Sequence, residues 1–142
     1  MTQGVNAFGT FFQVDDGLGS YTTIAEAMDI NGFGYTRASI DATNHSSTGG
    51  YEEIIASGVK RSREFTVQFN FIPSHPTHNM STGLLGLMIN GARRNYRMIL
   101  PTTPVATWQF LSEVIGFEQM APVDGLLRCS FTFKPSGAPT LT

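Results

Sequence analysis

The chain has 142 residues, of which nine are basic and eleven are acidic, and its formal net charge is −2. Charged residues make up 14% of the chain, against roughly 25% in an average soluble domain, and no basic surplus points to nucleic-acid binding. The single cysteine excludes an internal disulfide and a zinc-finger spacing. No segment approaches the ~18 apolar residues of a membrane-spanning helix.

The first residues carry no pattern of a targeting signal. Residues 1–6 have neither a basic region nor an apolar stretch, so we interpret them as an N-terminal arm rather than a signal peptide. We therefore expect a protein that is made in a cytoplasm and has no membrane partner. Ser, Thr, Asn, Gln and Gly replace the missing charge, which is typical of a surface covered by neighbouring proteins or of one that faces glycans.

Alternation of apolar and polar residues dominates the first half of the chain and predicts antiparallel strands with one buried face. The clearest strand is 64–71, where Phe65, Val67, Phe69 and Phe71 alternate with polar residues. The other predicted elements, in chain order, are strands at 7–14, 22–30 and 34–42, with a turn at 15–19 and a long inter-strand loop at 43–58.

The second half contains one segment with helical spacing. Apolar residues between 81 and 92 recur every three to four positions and predict a helix within 79–92, with Asn79 or Ser81 capping its start and Gly91 ending it. Both parities of the strand at 107–118 are apolar, which predicts a bulge or two covered faces. The remaining predicted elements are strands at 95–100 and 127–134 and a C-terminal tail at 135–142.

The fold class that follows is mainly β, an antiparallel sandwich or barrel with one flanking α-helix. It is predicted to form one domain over residues 1–142. The predicted core residues are Phe65, Phe69, Phe71, Trp108, Cys129 and Phe131.

No set of side chains predicts catalysis, a metal site or a cofactor. His75 and His78 have a spacing that suits metal ligands on a helix, but Pro73 and Pro76 forbid a helix there, which favours exposed loop histidines. Cys129 shares a strand face with phenylalanines, as a core cysteine does. The basic clusters at 60–63 and 93–94 suit solvated faces or ion pairs between subunits. We therefore expect no cofactor, no metal and no enzymatic activity.

Nine short segments form a pattern by their order and spacing along the chain. They are 40–43 (IDAT), 49–55 (GGYEEII), 58–60 (GVK), 65–71 (FTVQFNF), 96–101 (YRMILP), 107–110 (TWQF), 115–118 (IGFE), 122–125 (PVDG) and 134–139 (KPSGAP). In this order they resemble the major tail tube proteins of siphophages, the bacteriophages with long non-contractile tails. The resemblance covers 29–141 and departs most at residues 1–28. It implies a β-sandwich or barrel-like subunit that closes into hexameric rings, and rings that stack into a tube around a lumen through which DNA passes.

The resemblance also assigns roles and partners. The partners it implies are further copies of the chain, a tape-measure or ruler protein, a terminator, a distal tail protein, and DNA that passes without specific binding. The place it implies is the virion tail, after assembly in the host cytoplasm. We expect Glu64, Gln68 and Asn70, on the polar face of the clearest strand, to line the lumen. The predicted inter-ring contact loop consists of His45, Ser46, Ser47, Thr48, Gly49, Gly50, Tyr51, Glu52 and Glu53.

Two other classes of protein fit the same pattern. A carbohydrate-binding or adhesin module would also be a β-sandwich with a polar surface, but it would need an exposed aromatic platform. Another tube-forming relative, such as a tail terminator or a secretion-system tube subunit, would share the architecture and differ in whether its rings stack indefinitely.

Overall fold

A computed structural model describes residues 4–142. Over these residues the chain is mainly β, with one α-helix, so the predicted fold class is confirmed. The elements are β1 Phe11–Asp15, β2 Tyr21–Thr23, β3 Ala27–Asn31, β4 Tyr35–Asp41, β5 Ile54–Ser62, β6 Phe65–Asn70, α1 Leu84–Asn90, β7 Arg93–Leu100, β8 Ala106–Met120 and β9 Arg128–Leu141.

Seven strands form one antiparallel sheet in the order β2-β1-β7-β8-β9-β6-β3. Its two edge strands, β2 and β3, are consecutive in the chain and are joined by residues 24–26 alone. Because three residues span roughly 10 Å at most, the two edges lie close together and the sheet curls on itself. The rings of Phe12 on β1 and Phe65 on β6 confirm this, since their centroids are 6.1 Å apart although three strands separate them in the sheet.

The inside of the curled sheet is an aromatic core. Every second residue of β6 is buried, and β9 pairs with it so that Phe65 lies opposite Phe133 and Phe69 opposite Cys129. Of the predicted core residues, Phe65, Phe69, Cys129 and Phe131 are buried. The other two, Phe71 and Trp108, are partly buried and pack against the core.

The strand predicted at 22–30 is two strands, because the chain crosses from one sheet edge to the other at 24–26. Ile24 still donates its N–H to Phe12 O on the β1 side, at 2.9 Å. Glu26 has a φ of 60°, a backbone conformation that breaks a strand, and its carbonyl accepts the N–H of Asn70 at the end of β6, at 3.1 Å.

The C-terminal tail predicted at 135–142 is wrong, since β9 continues to Leu141 and pairs with β8. Pro135 and Pro139 are residues that sheets disfavour, so the sequence pattern hides the continuation of the strand. The register, however, shifts between Gln109 and Leu111, and residues 137–139 form a bulge there. Gly137 has a φ of 78°, and Pro139 occupies a position in the bulge that needs no N–H for the ladder. The bulge predicted in β8 is present at a second shift, between Val114 and Gly116, where Ile115 is the extra residue.

The helix is shorter than the predicted 79–92. Gly91 ends it with a φ of 63°, as predicted, because glycine adopts the left-handed conformation without steric cost. Its start is later because the side chain of Asn79 organises a preceding turn, accepting the N–H groups of Thr82 and Gly83 at 2.8 Å each. Gly83 then precedes the helix, and a Cβ there would lie 2.4 Å from Asn79 N, so only glycine fits.

Candidate functional site: the β4–β5 hairpin

β4 and β5, in the part of the chain that the structure describes, pair only with each other. We call the segment Tyr35 to Ser62 the hairpin. Nearly all of its strand residues are exposed to solvent. A two-stranded sheet alone is marginally stable in water, so packing against another surface would stabilise this hairpin.

The base of the hairpin is fixed to the curled sheet. Ser62 Oγ donates to Pro135 O at 2.6 Å, and Lys134 Nζ donates to Ser62 O at 2.9 Å. Arg63 N donates to Gly34 O at 3.0 Å, which ties the two entry points together. The hairpin is therefore held at one end, and the other end is free of the body of the protein.

Large apolar side chains are exposed on the hairpin. Ile40 and Ile55 lie directly opposite each other on one face, and 55% and 58% of their surfaces are exposed. Ile54, 62% exposed, lies on the other face opposite Asp41. Exposed apolar residues rimmed by polar ones mark protein–protein contact surfaces.

The predicted loop at 43–58 is wrong in its last part, because β5 already begins at Ile54. Strand periodicity is hidden there by a bulge. Between Arg37 and Ser39 on β4 there is one residue, whereas between Lys60 and Ala56 on β5 there are three. Such a bulge bends a strand and interrupts its alternation.

The connecting residues 42–53 form an ordered tip. Thr43 Oγ1 accepts the N–H of Glu53 at 2.8 Å, and Ser47 Oγ donates to Glu53 Oε2 at 3.0 Å. Asp41 Oδ1 accepts the N–H of Thr43 at 2.9 Å, and this bond lowers the pKa of the Asp41 carboxyl. A 3₁₀ turn, Thr48–Gly50, forms the end of the tip. The residues of the predicted inter-ring contact loop, 45–53, thus lie together at the free end of the hairpin, and all except half-buried Ser47 are exposed.

A groove with a volume of about 920 Å³ runs between the hairpin base and β9. Arg37, Lys60, Arg61 and Lys134 contribute basic side chains to it, and residues 135–139 form much of its β9 side. No acidic residue among those described lines the groove.

The three predicted lumen-facing residues do not form one row. Glu64 lies in the exposed turn between β5 and β6, outside the strand. Gln68 and Asn70 are partly exposed on the face of β6 that points away from the core. Asn70 Nδ2 donates to Glu26 Oε2 at 3.1 Å, which holds that amide against the neighbouring sheet edge.

His78 is buried, so the expectation of an exposed loop histidine is wrong for it. Its Nδ1 accepts the N–H of Ile72 at 3.2 Å, and its Nε2 lies 2.8 Å from Ala25 O. This pattern requires the neutral ring with the proton on Nε2, and burial lowers the pKa of the imidazole. Since Ala25 belongs to the segment that joins the two sheet edges, His78 fastens the closure of the sheet.

Cys129 is a free cysteine that is buried in the core. Burial raises the pKa of the Cys129 thiol to about 11, so the nucleophilic thiolate is scarce at neutral pH. Within residues 4–142 no three His, Cys, Asp or Glu side chains come together as metal ligands. Over the same residues, no helix has the length and apolar character needed to cross a membrane.

No protein-family model matches the chain, and no curated protein is significantly similar to it. Solved structures do match. A chain from the tail of an empty gene transfer agent (GTA) particle with C6 symmetry gives a TM-score of 0.78 at 17% identity, over 98% of this chain and 99% of that one. A chain of the anti-feeding prophage (AFP) baseplate, six-fold symmetrised, gives 0.78 at 8% identity, over 100% and 97% of the two chains.

A third match is to a protein from a tail tube. The SPP1 tail tube gives a TM-score of 0.64 at 12% identity, over 93% of this chain and 74% of that one. The chain has a tail-tube fold. Because the GTA match covers 98% of the chain, the similarity in fold extends into residues 4–28, where the sequence resemblance is weakest.

Proposed function

We propose that the protein is the repeating structural subunit of a bacteriophage tail tube. In this function it forms hexameric rings that stack around a lumen, and viral DNA passes through the lumen into the host. The observation that carries the proposal is the likeness, along nearly the full length of both chains, to a chain from a tail with C6 symmetry. The work of such a subunit is assembly rather than catalysis, in keeping with a protein that is not an enzyme.

The exposed hairpin supports the proposal independently of the comparisons. Its apolar residues Ile40, Ile54 and Ile55 are each more than half exposed, and among the described residues its two strands pair only with each other. In a ring, strands that are edges in the monomer can pair with or pack against neighbouring subunits. Contacts between identical subunits that do not close on themselves repeat from ring to ring and build a tube.

The tip of the hairpin is the proposed inter-ring contact. Residues 45–53 lie at the end that is free of the body of the protein, and their hydrogen bonds hold a defined shape. A preformed contact segment loses less conformational entropy on docking than a disordered one.

The proposed lumen surface includes Gln68 and Asn70, on the outward face of β6. Both are uncharged, so they do not themselves retain DNA phosphates by ion pairing. The positive charge nearest to them in the register is Arg128, directly opposite Asn70 on β9. Glu64 is kept as a third candidate, although its place in a turn separates it from the other two. A density map of the tube in which Gln68 and Asn70 face the outside would refute this placement.

The proposed partners are other copies of the chain and the tail proteins at the two ends and in the lumen: a terminator, a distal tail protein and a tape-measure protein. DNA is a passing partner without specific binding. The proposed locations are the virion tail and, during assembly, the host cytoplasm.

Negative-stain electron microscopy of the purified full-length protein, concentrated and left to assemble, tests the function. Hollow rings or tubes with a central channel are expected. A variant in which residues 46–50 are replaced by two glycines should remain folded by circular dichroism but form no tubes. Normal tubes from that variant would refute the assignment of the tip. A protein that stays monomeric and binds glycans would support the carbohydrate-binding alternative instead.

A further inference from the structure

Charge is segregated along the hairpin. Four of the chain's nine basic residues, Arg37, Lys60, Arg61 and Lys134, line the groove at its base. Acidic residues lie at its far end, with Asp41 at the end of β4 and Glu52 and Glu53 in the tip. β4 has seven residues, so the two ends are roughly 20 Å apart at ~3.3 Å per residue.

The groove brings four basic residues together, and of these Lys134 lies directly opposite Glu113 on β8. Arg37 and Lys60 are direct cross-strand neighbours on one face, an arrangement that destabilises a sheet in isolation. Within residues 4–142 the one salt bridge is Arg93–Glu113, which lies outside the groove. Negative charge brought into the groove would therefore stabilise the pair Arg37 and Lys60.

The acidic tip matches the groove in chemistry. Asp41 and Ile54 lie opposite each other on one face of the hairpin end, so an anionic and an apolar side chain are presented together. The groove offers the complement, with basic side chains beside the apolar Pro135, Ala138 and Pro139. The hydrogen-bonded pair β4 and β5 holds the tip away from the base of its own hairpin. The tip that fits the groove must therefore come from a second copy.

We infer that the acidic hairpin tip of one subunit docks into the basic groove at the hairpin base of a second copy in the next ring. This inference rests on the proposed function and names the surface that receives the tip. A tip-to-base contact joins two different patches of identical subunits, and such a contact builds an open stack when the rotation between copies does not close it into a ring. DNA phosphates are the other anion that a basic groove attracts, but the apolar side chains of tip and groove favour a protein occupant.

Charge reversal tests the docking. Glu52→Lys at the tip and Lys60→Glu in the groove should each raise the protein concentration needed for tube formation about tenfold, because one attraction becomes a repulsion. The double variant Glu52→Lys/Lys60→Glu restores opposite charges and should return to within about threefold of the wild type. Matched controls are Glu118→Lys and Arg128→Glu, two exposed charges outside the hairpin, which should leave the threshold within about twofold.

The readouts are sedimentation for the threshold, electron microscopy for the product, and circular dichroism to confirm that each variant is folded. A double variant that is folded but does not recover overturns the docking, as do control reversals that act as strongly as those in the hairpin. Tubes that form equally well from all variants overturn the docking and leave the tube function standing. If Lys60→Glu loses DNA binding while the protein concentration needed for tube formation is unchanged, the docking is also overturned and the tube function stands, since the groove would then hold nucleic acid.

Two outcomes concern the wild type. If the protein forms open filaments instead of rings, and the charge reversals affect these filaments as predicted for tubes, the tube function is overturned and the docking stands. A wild-type protein that remains monomeric at every concentration overturns both.

Discussion

Replacing Phe12 tests whether the seven-stranded sheet curls around one core. Phe12 is 1% exposed and contacts the rings of Phe65, Tyr96, Phe110 and Phe133 at centroid distances of 6.1, 5.5, 6.4 and 5.2 Å. Removing a buried phenylalanine side chain costs about 3–5 kcal/mol. For 142 residues, at about 2.1 cal/mol/K of unfolding entropy per residue, Phe12→Ala should lower Tm by roughly 10–17 °C.

The neighbouring Phe11 is the matched control. It lies on the same strand with its side chain on the opposite face, and 52% of its surface is exposed. Since about half of its apolar surface is still in water, Phe11→Ala should cost about 1 kcal/mol and lower Tm by about 3 °C. Thermal and urea unfolding, followed by circular dichroism below the assembly concentration, would measure both variants. Equal losses at the two positions would refute the placement of Phe12 inside the sheet.

A double-mutant cycle then examines the curl itself. In a flat sheet β1 and β6 would be about 19 Å apart, four strand spacings of ~4.8 Å, and substitutions on them would act independently. Because Phe12 and Phe65 are in ring contact, Phe12→Leu and Phe65→Leu should couple by about 0.5–1.5 kcal/mol. Additive free energies of unfolding would contradict the closed arrangement.

Three further predictions follow from burial. Burial lowers the pKa of His78 below its usual 6.5. The neutral ring therefore contributes stability above about pH 6.5, and this stability is lost as pH falls toward the pKa of the folded state. In His78→Gln the free energy of unfolding should change less between pH 7.5 and pH 5, and a pH dependence equal to that of the wild type would contradict this. Cys129, with a pKa raised to about 11, should react with a thiol reagent at pH 8 only as fast as the protein unfolds; fast labelling of the native protein would place it elsewhere. Trp108 is only partly buried, so Trp108→Ala should cost about 2–3 kcal/mol in urea unfolding, below the cost at Phe12; a larger loss would mean a closer-packed site.

Sequence periodicity predicted the regular strands well and the irregular ones poorly. β6 and the first half of β9 alternate without interruption, so their buried faces, with Phe65, Phe69, Cys129 and Phe131, follow from the pattern. The second half of β9 was missed because Gly137 and Pro139 are typical strand breakers, whereas here they occupy a bulge whose existence depends on the partner strand.

The contact role predicted for residues 45–53 stays a prediction, and the structure differs from the predicted loop in form. Residues 45–53 were expected to be a contact loop, and they lie together at a free end. The strand pairing that carries them was hidden by the bulge at 57–59 in β5. The basic groove could not be predicted either, because it joins Arg37 and Lys60 to residues 134–139, which are distant in the chain. The role of His78 likewise depends on Ala25, a partner 53 residues away.

The segregation of charge along the hairpin gives any stack built by tip-to-base docking a direction. One end of the stack would present unpaired acidic tips, and the opposite end would present empty basic grooves. A protein that begins such a stack and a protein that stops it would therefore meet different surfaces, so neither could replace the other. Growth by addition at one end would also differ in rate from growth at the other, since the incoming subunit would use its groove in one case and its tip in the other.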